Sequence, residues 1–307
     1  MSIDVLQANI RKMKNPSMLG LAPTPELIPP QLLEEAFSAH GQTPQALAAA
    51  YSRFCRTLLD TLAPILPAVS LQSGCFSALG APGVAVLQEL LRYAGKKGYY
   101  VLLDGAFGET GAAAALAAEA AFGGLCIGET QSSIYPCDAV TVNGYAGTDA
   151  AAPFLPYCKS GGKSLFLLVK TPNKSGREVQ ELLSGDRVIY TAMADLARRW
   201  GEDKAGRFGY TQVGAVVSAA QPQILARLRQ SYDRLFLLIP DYGTQGVAVK
   251  NVQFAFDRLG YGAVVCASQS ILGAWRKQET DGADYAALAL QAAEKMKKDI
   301  AKYVVVM

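Results

Sequence analysis

Apolar and β-branched residues fall along the chain in short runs, at 18–21, 67–70, 99–104, 139–142, 165–170, 213–217, 235–240 and 263–266. Runs this short, bounded by glycine, proline or polar residues, predict strands. Between them lie longer stretches in which apolar residues recur every three to four positions, at 31–66, 84–97, 111–122, 177–200, 221–230 and 250–258. These predict helices, with an N-terminal helix at about 3–14 and a C-terminal one at about 283–303. Strands such as LFLLVK and LFLLIP are near-continuously apolar rather than alternating, as expected when helices cover one face and packed side chains the other. Eight strand–helix alternations without a repeated fingerprint predict an α/β fold, a single (β/α)8 TIM barrel forming one domain over 1–307. A doubly wound open sheet is the alternative.

Composition narrows the function classes. Half the 307 residues are apolar, 18% are charged and the formal charge is +3. The positive residues are spread along the chain, the densest block being Lys295-Met296-Lys297-Lys298, so no nucleic-acid footprint is expected. Six cysteines (55, 75, 126, 137, 158 and 266) show no CxxC spacing. With a single histidine, His40, expected at the surface, they indicate neither a zinc site nor a disulfide framework but reduced, mostly buried thiols. The first fifteen residues are amphipathic without an apolar leader core, and no apolar run approaches the roughly 18 residues that span a bilayer. The expected location is the cytoplasm, with no membrane partner. The alanine-rich stretch at 112–121 reads as a plain buried helix, with close packing at a dimer seam as the alternative.

In such a barrel, chemistry collects at the C-terminal ends of the strands. Those ends supply Ala22, Ser70 with Gln72, Asp104 with Ala106, Thr141 with Asn143, Thr171 with Asn173, Ser218, the loop 241–246, and Ala267-Ser268-Gln269. The rim is polar but nearly uncharged: Asp104, Glu109 and Asp241 are its acids and Lys170 its nearest base. Several of the strand-end residues have a structural reading as well. Asp104 could accept backbone N–H groups at a strand end, Glu109 could favour a helix N-terminus, and Thr141 and Asn143 could close their strand by bonding to the backbone.

The ordered segments NPSMLGLAPTPELIP, LPAVSLQSGCFSALG, VLLDGAFGETG, DAVTVNGYAG, LFLLVKTPNKSGREVQEL, GYTQVGAVVSAAQP, LFLLIPDYGTQG and GAVVCASQSI together resemble the orotidine 5′-phosphate decarboxylase family, in its longer bacterial branch. The resemblance covers nearly the whole chain. It implies a (β/α)8 barrel, a homodimer with active sites at the subunit interface, and conversion of orotidine monophosphate to UMP in pyrimidine biosynthesis without a cofactor or metal.

The same resemblance shows where this chain departs from the family pattern. The family's first catalytic lysine falls on Ser70. Its Asp-x-Lys-x-x-Asp loop reads Asp104-Gly105-Ala106-Phe107-Gly108-Glu109, keeping the first acid, losing the lysine at Ala106 and ending in Glu109. The Asp of an early GLDP motif has become Ala22. On the pyrimidine side Thr-Ser-Asn reads Thr171-Pro172-Asn173, with Gln72, Thr141 and Asn143 as neighbouring ligand positions. On the phosphate side the glycine-rich loop begins with Asp241 and keeps Gln245, while the arginine after the last strand is Gln269. The two glutamines are left as neutral amides for a weak anion site.

Decarboxylation leaves an electron pair on the ring, which the loop lysine would stabilise and protonate. Ala106 does neither, and one such preorganised partner is typically worth about 2.7–4 kcal/mol. Asp241 is expected to repel a dianion. Three readings stay open: a non-catalytic paralogue that dimerises with itself or as a heterodimer with an active paralogue; an active decarboxylase with a rearranged or altered site; and a barrel re-purposed for another small ligand through Asp104, Glu109, Asn143 and Asn173.

Overall fold

The computed structural model describes residues 1–203, 205–243, 247–278 and 281–307. Eight strands form a closed parallel barrel: β1 (Ser17–Leu21), β2 (Ala68–Gln72), β3 (Tyr100–Phe107), β4 (Ala139–Val142), β5 (Ser164–Lys170), β6 (Val213–Val217), β7 (Leu237–Ile239) and β8 (Ala263–Ala267). β1 pairs with both β2 and β8, which closes the ring and excludes the open sheet. Among the described residues no helix is long and apolar enough to cross a membrane.

Side chains alternate along each strand, as the two-residue period of a β-strand demands. Val69 and Leu71, Val101 and Leu103, and Leu165 and Leu167 join the outer core under the helices. Ala68, Tyr100, Leu102, Phe166, Phe236, Leu238 and Val264 fill the barrel interior. The interior is graded along its axis, apolar in the lower layers, with Ser70, Asp104, Thr141 and Lys170 on later residues of the same strands. The bottom is plugged by the helix Ser2–Met13, whose Ile3, Leu6 and Ile10 are fully buried against that interior cluster. Gln7 Oε1 accepts the Gly262 N–H at 3.0 Å, tying the plug to the approach of β8.

Several helices differ from the expectation in ways the chain explains. The stretch 31–66 is two helices, Pro30–His40 and Pro44–Leu62. Gly41 takes a left-handed φ of 68°, the Thr43 hydroxyl accepts the Ala46 N–H, and Pro44 starts the second helix where its missing N–H costs nothing. Within 177–200 only Ile189–Gly201 is a continuous helix. Before it come a helical turn at Arg177–Gln180 and a small hairpin, Leu183–Ser184 against Arg187–Val188, closed through Gly185 at φ 66°. The stretch 250–258 is a 3-10 helix, Val249–Ala255. The alanine-rich segment is not a plain buried helix. Gly111–Ala118 buries only Ala114 and Ala118, one turn apart on one face, and Leu116 stands 57% exposed on the other. All six cysteines are free, with Cys126 exposed and Cys75 half-buried, and His40 is exposed at a helix end.

Candidate functional site

The β2–β3 register sets Gln72 beside Asp104, and both face the barrel mouth. Asp104 Oδ1 accepts the Thr141 hydroxyl from β4 at 2.7 Å, and Oδ2 accepts a weaker bond from Gln72 Nε2 at 3.4 Å. Thr141, itself buried, accepts the Ala106 N–H at 2.8 Å. One hydroxyl thus ties the acid to the irregular end of its own strand. There the β3–β4 register shifts between Leu103 and Phe107, and Ala106 sits at φ 46°, a left-handed conformation that L-residues with a Cβ adopt at a cost.

The electrostatics of this cluster are one-sided. Among the described residues no lysine or arginine bonds or ion-pairs with Asp104; its hydrogen-bonding side chains are neutral. Burial raises its pKa above the ordinary carboxylate value, the Thr141 bond opposing this in part. Burial and then the Asp104 charge push the Cys266 thiol up to about 12, and the same two causes raise Cys75. Cys266 belongs to the interior cluster on β8, a neighbour that the alternation of its strand marks in the sequence. Ser70 is buried on β2 and Ala22 half-buried after β1.

Other residues singled out by sequence do not join Asp104. Glu109 is exposed and its carboxylate accepts the Gly108 N–H at 3.1 Å. Asn143 is exposed and accepts the Tyr145 N–H at 3.1 Å, capping a short 3-10 turn. Thr171 exchanges bonds with Gln180, and Asn173 donates to Ser175. Gln269 is exposed at the start of the short helix Gln269–Leu272, and Gln245 lies outside the described residues. Asp241 is turned into the wall rather than toward an incoming anion: it is buried, accepts the Ser218 hydroxyl, and accepts the Ala219 N–H at 3.1 Å. Among the described residues no three His, Cys, Asp or Glu side chains gather closely enough to hold a metal ion.

Beside this cluster, at the ends of β5 and β6, lies a cleft of about 310 Å³ bordered by Lys170, Thr171, Asn173, Glu181, Ser218 and Gln221. The Lys170 ammonium pairs with Glu181 Oε1 at 3.1 Å, and Gln221 Nε2 donates to the same oxygen at 3.2 Å. These bonds, Lys170 first, hold the Glu181 carboxyl below its ordinary pKa. Sequence reasoning noted Lys170 but missed Glu181 and Gln221, which nothing in their spacing marks.

A closed parallel barrel with polar side chains gathered at its strand ends is the architecture of a (β/α)8 small-molecule enzyme scaffold. Within that class, the sequence model of the orotidine 5′-phosphate decarboxylase / HUMPS family matches residues 55–274, and the chain belongs to that family. It is 34% identical over 274 residues to the orotidine 5′-phosphate decarboxylase of Rhodopirellula baltica, covering 89% of each chain. Against that of Deinococcus radiodurans it is 35% identical over 234 residues, covering 76% of this chain and 81% of the relative. Among solved structures, the OMP decarboxylase of Leishmania donovani superposes with a TM-score of 0.72 at 27% identity, over 97% of this chain and 98% of that one.

Proposed function

We propose that this chain is a non-catalytic member of the orotidine 5′-phosphate decarboxylase family, acting through its barrel and its assembly rather than by decarboxylating orotidine monophosphate. The observation that carries this is the isolation of Asp104: its side-chain partners are a hydroxyl and an amide, and Ser70 and Ala106 stand where the resemblance puts lysines. A buried carboxylate without a cation neither stabilises nor protonates a carbanion. Rate-determining electrostatic partners act as a unit, so Ala106→Lys alone leaves the chain inactive. The test is release of carbon dioxide from orotidine monophosphate by the purified protein, alone and mixed with an active family member. Turnover above background by the protein alone overturns the reading.

The assembly proposed is a homodimer, or a heterodimer with an active decarboxylase. Leu116 at 57%, Ile127 at 64% and Tyr145 at 81% exposure follow β3 and β4 and offer apolar surface for a partner. Six unpaired thiols suit the reducing cytoplasm, which is the location proposed.

A second reading, retained decarboxylase activity through an altered site, is favoured by 34% identity over 89% of a relative bearing that name. It requires tight binding of a UMP-like inhibitor, which calorimetry reads directly.

A further inference from the structure

The cleft between the ends of β5 and β6 carries a charge arrangement that Asp104 and its neighbours do not use. Its lining includes Lys170, Lys174, Arg177 and Glu181, three cations against one carboxylate. Lys170 is the deep one, its side chain only 7% exposed, whereas Lys174 and Arg177 lie at the lip. An ammonium withdrawn that far from water needs an anion beside it. Glu181 provides one oxygen, and that oxygen receives two donors from opposite walls, Lys170 at 3.1 Å and Gln221 at 3.2 Å. Convergent donors from two strand-end loops around a single oxygen form an anion-binding arrangement, occupied here by one of the chain's own side chains.

Glu181 is also the less firmly held partner, its side chain 35% exposed. It belongs to a strap, residues 171–188, that leaves Val179, Leu182 and Leu183 46%, 55% and 70% exposed. Little apolar burial holds that strap in place. Exchanging Glu181 for an incoming anion keeps the Lys170 charge paired throughout, so the exchange never strands a buried cation.

We infer that this cleft is a binding site for a small carboxylate- or phosphate-bearing ligand, held by Lys170 and Gln221, with Glu181 as its internal competitor. Asp104 is not among the residues lining it, and the inference stands whether or not the chain decarboxylates anything.

The test is calorimetric and NMR titration of the full chain with inorganic phosphate and, separately, with acetate. Glu181→Gln should tighten binding of the preferred anion by about three- to fivefold, as expected for loss of a competing ion pair, with amide shifts at 170–181 and 218–221. Lys170→Gln should abolish saturable binding, and whichever anion binds more tightly identifies the ligand class. Glu178→Gln, which removes a neighbouring exposed charge without freeing Lys170, should leave affinity within about twofold. If Glu181→Gln binds neither anion, or Glu178→Gln tightens binding as much as Glu181→Gln does, the inference is wrong. Both glutamate variants change exposed side chains, so their comparison decides the matter even if Lys170→Gln fails to fold.

Discussion

Asp104 has a sign that can be measured. Burial holds its folded-state pKa above 3.8, so the folded chain binds this proton more tightly than the unfolded chain does. Below pH 3.8 both states hold the proton and the residue is neutral to stability. As pH rises toward the folded value, the folded state pays for ionising a carboxyl with no hydrogen-bonded or ion-paired cation among the described residues. Asp104→Asn should therefore resist denaturant better than the parent near neutral pH, with the advantage vanishing as pH falls through about 4. A carboxylate paired with lysines would give the opposite trend. Thr141→Val removes the hydroxyl that serves Asp104 and the Ala106 N–H together, and should cost about 1–3 kcal/mol in equilibrium unfolding. Ala106 carries about 1–2 kcal/mol of left-handed strain, which glycine relieves at an entropic cost of about 0.5–1 kcal/mol. Ala106→Gly should thus be neutral to stabilising by roughly 1 kcal/mol in the same measurement. The positive φ was invisible in the sequence, because VLLDGAF reads as an ordinary strand running into a turn.

At the scale of elements, the eight strands were legible because most of their residues are buried on both faces and so form short apolar or β-branched runs, Leu165–Val169 being the clearest case. The strap at 171–188 was not. Its hairpin pairs only two residues on each side, too few to impose a period of two, and Arg177–Gln180 is a single turn that periodicity merges with the helix beyond it. The break between Pro30–His40 and Pro44–Leu62 was written in Gly41, Thr43 and Pro44, but apolar residues on both sides masked it. Asp241 misled for another reason: whether a loop acid faces ligand or wall depends on Ser218, which comes near only in the folded barrel. The N-terminal helix was foreseen, though not its task as a plug. Leu6 is fully buried in that plug, and Leu6→Ala should lower unfolding free energy by about 2–5 kcal/mol, read from urea denaturation.

For the molecule as a whole, the family assignment was legible from eight ordered segments, whereas assembly has to be tested on the folded surface. If the exposed face around Leu116 is a subunit contact, Leu116→Glu should shift the sedimenting species from dimer to monomer while leaving the far-ultraviolet circular dichroism unchanged. A wild-type monomer at all concentrations would remove the assembly from the proposal.

The plug at the barrel floor also sets an order of events during synthesis. The helix Ser2–Met13 is made well before β8, yet Gln7 in it is bonded to Gly262, 255 positions later, and its apolar face shares one interior cluster with Val264 of β8. Until those residues emerge, Ile3, Leu6 and Ile10 lack part of the surface that covers them, and contacts this distant in sequence form slowly. The nascent chain therefore carries a partly uncovered apolar helix until β8 is made, and barrel closure comes only then.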